Sequence, residues 1–287
     1  MPNSPRVLVS LLALTLILAV GSAAQSAADI LNRTLETYEH RMEGIDNYTL
    51  VQEVMGMETV MYFEKEVNGG RPFVHLRHMT VAGRSMNTTG GAEKGWDQFY
   101  AMVPELASHA HYLGREEVQG SPVHVVEVRD LHELDFIDVP QPDDADFRWD
   151  TAKLFIDSDQ WVVRRAEIAG QVTTNGQSHD VTSVTDLTDY RDVHGMLHPF
   201  LVTVQMQGLG AAMGVSDADM AEARKQLDEM KKQMDQMPEA QRAMMEGMLR
   251  QQTAAMEQML GGGGGSGMTI EMRVKRLDVN TGPPGGN

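Results

Sequence analysis

Residues 181–206 read VTSVTDLTDYRDVHGMLHPFLVTVQM, and their alternation decides the fold. From Leu197 onward, Phe200, Val202, Val204 and Met206 fall on one side of an extended chain and Leu201, Thr203 and Gln205 on the other, because successive side chains of a strand point to opposite faces. One face is much greasier than its opposite. Asp192-Val193-His194-Gly195 supplies turn residues between this run and residues 181–190, so the two runs make a hairpin. The pattern recurs after a long interval, where Met268, Ile270, Met272 and Val274 alternate with Thr269, Glu271, Arg273 and Lys275. That is a half-buried strand.

Working outward, the same signature repeats. Residues 116–118 and 123–129 flank Gln119-Gly120, and residues 153–156 and 161–168 flank Asp157-Ser158-Asp159-Gln160. Further upstream, residues 48–55, 59–66 and 72–81 are rich in Val, Tyr, Phe, Thr and Met and are punctuated by Gly56, Asn68-Gly69-Gly70 and Gly83, which reads as strands and turns. Many short strands with few helices predict an antiparallel sheet curled toward a barrel, since long twisted sheets curl or close to manage their edges. One amphipathic helix precedes it. Leu31, Leu35, Tyr38, Met42 and Ile45 recur at helical spacing, with Asp29 placed to cap and Gly44 to stop the helix. A second, short helix is expected around Trp96, Phe99, Val103 and Leu106, weakened by Pro104. The fold class is α+β.

Between the two alternating strands the composition changes. Residues 217–260 hold no strand pattern and place Met220, Leu227, Met230, Met234 and Met237, then Met244, Met248 and Met259, near heptad spacing. Pro238 fits the first turn of a second helix. GGGGGSG at 261–267 is a flexible linker. Residues 215–267 are therefore expected to be a methionine-rich helical insertion before the last strand, and residues 282–287 a disordered Gly/Pro tail.

The chain has 287 residues, no cysteine, 22 methionines and a net charge of −17. Its acidity disfavours nucleic acid, whose binding needs Lys and Arg to neutralise phosphate. The lack of cysteine excludes disulfides, thiol nucleophiles and thiolate metal sites. Residues 1–28 read as a secretory signal peptide: Arg6, an apolar run over 7–20 (VLVSLLALTLILAV) and small residues in GSAAQSAA at 21–28. The run is too short for the about 20 residues of a membrane span. Cleavage after Ala24 or Ala28 leaves residues 29–287 as the core of an exported protein.

Catalytic patterns are missing from the sequence. There is no G-x-S-x-G elbow or P-loop, and His132-Glu133 lacks the second histidine of a zincin helix. His75, His78, His109 and His111 read as solvated side chains, and Asp143-Asp144-Ala145-Asp146 as a solvated acidic loop. No enzyme, cofactor or metal is expected. Methionine, flexible and polarizable, recurs where variable greasy ligands bind. A methionine-lined helical lid over a concave apolar sheet makes an acyl-chain site. A stripe that simply packs the helices together is the equal alternative.

The stretches YLGREEVQGSPVHVVEV, AKLFIDSDQWVVRRAEI and TDLTDYRDVHGMLHPFLVTVQ, with RLDVNT at 276–281, resemble in their order the outer-membrane lipoprotein-sorting proteins, the LolA/LolB-like superfamily. The resemblance covers residues 29–207 and 268–281. It implies an incomplete, strongly curved antiparallel barrel covered by helices, and a non-enzymatic carrier of lipid or acylated lipoprotein, served by a membrane-bound transporter or an acceptor protein. Candidate lipid-binding residues are Leu31, Leu35 and Met42 on the first helix and Phe200, Val202, Val204 and Ile270 on the sheet. Met230, Met234, Met237, Met244 and Met248 complete the set on the insertion. The family's carriers use an arginine on an early strand, for which Arg71, Arg77 and Arg84 are all candidates. The alternative function is a periplasmic interaction or sensor module that docks a protein through the methionine-rich helices.

Overall fold

A computed structural model describes residues 25–68, 71–86, 98–134, 145–174, 176–208 and 267–283, with the single positions 222, 225, 229 and 232. Helix α1 (Ala27–Met42) leads into strands β1 (Asn47–Val54), β2 (Met57–Asn68), β3 (Arg71–Val81) and β4 (Arg84–Met86). Helix α2 (Gln98–Leu106) and a 3-10 turn (Ala107–His109) follow, then β5 (Ala110–Val118) and β6 (Ser121–Arg129). The remaining strands are β7 (Ala145–Asp157), β8 (Val163–Thr174), β9 (Gln177–Val193), β10 (Met196–Gln207) and β11 (Met268–Val279). They form one open antiparallel sheet of 11 strands in the order β4-β3-β2-β1-β11-β10-β9-β8-β7-β6-β5.

The order is a meander with a single rearrangement. The last strand, β11, inserts between β1 and β10, and the two free edges, β4 and β5, are consecutive in the chain. Helix α1 lies against β3, β10 and β5. Nine strand spacings separate β3 from β5, about 43 Å in a flat sheet, whereas a helix of 16 residues is about 24 Å long. The sheet must therefore curl around α1. A buried cluster joins Ile30, Leu31 and Leu35 of α1 and Val103 and Leu106 of α2 to residues of most strands, including Leu50, Phe63, Leu76, Val126, Leu154 and Leu277.

Local chemistry explains the element ends. The helix starts two residues earlier than Asp29: the Ser26 hydroxyl accepts from the Asp29 backbone N–H (3.1 Å) and the Asp29 carboxylate from the Ser26 N–H (3.1 Å). This is a reciprocal capping box, with Asp29 at its third helical position and Ser26 as the cap. The β5–β6 turn has Gln119 and Gly120 both at positive φ, 55° and 76°, the geometry of a tight hairpin turn. Gly170 is required by close approach, since a Cβ there would stand 2.2 Å from the Arg148 carbonyl oxygen. There the β7 register shifts between Trp149 and Thr151, pressing its backbone onto β8.

Strand β4 and the first half of β5 carry no alternation long enough to be read from sequence, and the structure adds them. Most of residues 215–267 lie outside the described residues, as do residues 1–24, Trp96, Asp143 and Asp144. Within the insertion, Glu222, Lys225, Glu229 and Lys232 are helical and exposed.

Candidate functional site

Strand pairing fixes which side chains share the concave face. One row crosses the sheet as Met57, Val54, Met272, Val202 and Leu187 on β2, β1, β11, β10 and β9. Leu187 belongs to the buried cluster and Val202 packs against it, so the row faces inward. Val204 opposite Ile270, and Met206 opposite Met268, continue the same face toward the ends of β10 and β11. A further row is Met86, Met79, Met61, Leu50 and Leu277, from the β4 edge to β11.

The two ends of this face differ. At one end α1 fills the concavity and is latched there. Arg41 donates to the Gln160 carbonyl (2.7 Å), and the Lys65 ammonium donates to the Met42 carbonyl (2.9 Å). The receiving turn is held by Asp157, whose carboxylate accepts from the backbone N–H of Asp159 (2.9 Å) and Gln160 (2.7 Å) and from Arg164 Nε (2.9 Å). Burial pushes the Asp157 carboxyl up, but these hydrogen bonds and the Arg164 charge outweigh it and hold it below the ordinary carboxylate range. Trp161, at the end of this turn, stacks on His124 of β6 (centroids 5.5 Å apart).

At the other end, Val54, Val204, Met206, Met268, Ile270 and Met272 are half-buried and Met57 is exposed. All lie outside the main buried cluster. Trp149, opposite Gly170 on β8, packs against the margin of the main cluster and against Val172 and Val181, beside Phe147 (centroids 6.2 Å apart). Its indole Nε1 is buried with no hydrogen-bond partner, which is costly for a donor in an apolar setting.

The sequence-derived residues divide accordingly. Leu31, Leu35, Met42 and Phe200 are buried in the main cluster, and Val202 is half-buried at its margin. Val204 and Ile270 face each other on the half-buried strip. Met230, Met234, Met237, Met244 and Met248 lie outside the described residues. Of the three arginines, Arg77 pairs with Glu64 (3.1 Å) and Glu66, and Arg71 reaches Glu39 of α1 (3.7 Å). Arg84, opposite Val81 and exposed, shares the concave face with Met86. The sequence pattern does not mark Trp149 or the β2–β4 methionines, because their partners come together only through register.

No family model matches the chain, and no curated protein matches it. Solved structures do match it, at low identity. An outer-membrane lipoprotein-sorting protein domain from Vibrio parahaemolyticus matches with a TM-score of 0.38 at 10% identity, covering 88% of this chain and 94% of that one. A DUF1329 family protein from Desulfovibrio piger matches with a TM-score of 0.40 at 8% identity (90% and 93% covered). A LolA superfamily protein from Nitrosomonas europaea matches with a TM-score of 0.30 at 8% identity (88% and 94% covered). Among the described residues no helix is long and apolar enough to cross a membrane.

Proposed function

We propose that the protein is a non-enzymatic carrier or binding protein of the bacterial periplasm that holds a lipid acyl chain, free or on a lipoprotein, against the open half of its concave sheet. The observation that carries this is the strip of Val54, Met57, Val204, Ile270 and Met272, apolar and inward-facing beyond the end of the sheet that α1 fills. Burial against such a strip is worth about 0.8 kcal/mol per methylene. A chain of a dozen methylenes gains several kcal/mol after ordering costs, enough for reversible capture. The Trp149 N–H supplies a donor for an ester or carboxyl oxygen of the cargo, and Arg84 a cation at the β4 edge for an acidic head. A membrane-bound transporter would load the carrier and an acceptor protein unload it.

The test is native mass spectrometry of the full chain purified from its own periplasm. An added mass that dissociates as an acyl lipid is expected. A lipid-free protein that also fails to bind a fluorescent fatty acid ends the proposal.

A further inference from the structure

On the concave face at the β4 edge, three methionines stand directly opposite one another on neighbouring strands: Met61 on β2, Met79 on β3 and Met86 on β4. Adjacent strands are about 4.8 Å apart, and each methionine has three rotatable bonds between backbone and methyl. The outer two thioethers can therefore lean onto the central one. Met61 and Met79 are half-buried against the apolar core, while Met86 is exposed and borders solvent. The row thus runs from the apolar core to solvent.

The same-face neighbours define what it can hold. Thr59, Phe63, Leu76 and Val81 flank the row, and the charged group beside it is Arg84, opposite Val81 on the same three-residue strand. No carboxylate occupies these flanking positions and the Thr59 hydroxyl is the one side-chain oxygen among them, so a hard cation such as calcium or magnesium finds no negative charge and too few oxygens. Thioethers are soft, neutral donors that select Cu(I)-type ions. Having no proton to lose, they bind a metal without the pH dependence of a thiol or imidazole. In a chain with no cysteine and 22 methionines, sulfur ligation can come only from thioethers.

We propose that Met61, Met79 and Met86 form a binding site for a soft univalent cation, Cu(I) or its redox-inert analogue Ag(I). This site lies on the same concave face as the proposed lipid strip but uses other side chains, Met61, Met79 and Met86 in place of Val54, Met57, Val204, Ile270 and Met272.

The test uses the full chain labelled with 13C at the methionine methyls and titrated with Ag(I). The first equivalent is expected to shift the Met61, Met79 and Met86 methyl signals together, at pH 5 as at pH 7. Met79→Leu removes the central sulfur at nearly constant volume and should lower Ag(I) affinity at least about tenfold, the smaller loss seen when outer-shell partners of a metal are removed. Met272→Leu, on the same face outside the row, should leave it unchanged. The proposal is overturned if the first equivalent moves other methionines and leaves these three still. It is equally overturned if a folded Met61→Leu/Met79→Leu/Met86→Leu variant, with unchanged circular dichroism, holds Ag(I) as tightly as the parent. Loss of lipid binding without loss of Ag(I) would strike the carrier function alone.

Discussion

His198 lies on β10, edge-on to Phe200 with centroids 6.5 Å apart, and is almost wholly enclosed. Burial lowers its pKa from 6.5 to about 4, so the folded protein holds the ring neutral where the unfolded chain protonates it. The sign follows: above pH 6.5 both states are neutral and the residue contributes no pH dependence. As pH falls from 6.5 toward 4 the unfolded state gains the proton first, and folding loses up to about 3 kcal/mol. His124, lowered by burial and then by the Arg115 charge, acts in the same direction. Urea midpoints should therefore drop between pH 7 and pH 4.5, and His198→Gln should flatten that drop; an identical slope in the variant would place its origin elsewhere. Ser26 carries a second expectation at this scale. Cleavage after Ala28 would discard the capping residue, whereas cleavage after Ala24 keeps Ser26 and its exchange with Asp29. Caps of this kind contribute about 1 kcal/mol, so under the proposed export the terminus is expected at Gln25 when it is sequenced. A terminus at Asp29 would mean that α1 starts uncapped.

At the scale of elements, α1 and the β10–β11 strip answer differently to substitution. Leu31 is fully buried in the main cluster, and Leu31→Ala should cost about 2 to 5 kcal/mol, as large-to-small changes do in closed cores. Val202 is only half-buried, between Met272 and Leu187 in its row. Overpacking a closed core costs about 1 to 3 kcal/mol, but an open cavity accepts the bulk. Val202→Trp is expected to keep its melting temperature within a few degrees and to lose fluorescent fatty acid binding. Unfolding, with lipid still bound by the folded remainder, would make this strip packed core. The contrast also shows what sequence can carry. The stripe through Leu31, Leu35 and Met42 and the alternation through Phe200, Val202 and Val204 told which side chains turn inward, because periodicity encodes direction. Whether an inward side chain meets α1 or open space depends on where the helix ends against the sheet. That depends on long-range latches such as Arg41 to Gln160 and Lys65 to Met42, which leave no periodic trace. Strand β4, with three residues, is too short to show a period. The methionine row it completes with Met79 and Met61 exists only through pairing. Its thioethers share none of the spacing that marks histidine, cysteine or carboxylate ligands in a sequence.

At the scale of the whole molecule, the question is whether the fold needs the methionine-rich stretch. Strand β11 is central: it bonds to β1 on one side and β10 on the other, so without it the sheet falls into two pieces of four and six strands. Sequence distance suggests that residues 209–266 must hold β11 in place, but the register argues otherwise. Met206 pairs directly with Met268, so β10 and β11 end side by side, as the arms of a hairpin do. A loop of two to five residues closes such arms, and exchanging a long connection for a short one lowers the entropy of closure. Replacing residues 209–266 by Asn-Gly should therefore preserve the sheet, with β-type circular dichroism, cooperative unfolding and a melting temperature no lower than that of the full chain. The same variant separates the functions. With the stretch acting as a lid, lipid affinity falls while the Ag(I) site at the β4 edge is retained; with the stretch acting as a docking surface, lipid affinity is unchanged and only partner binding disappears. A variant that fails to fold would show that the methionines between Met220 and Met259 are structural, and the concave face would then need them as its permanent cover.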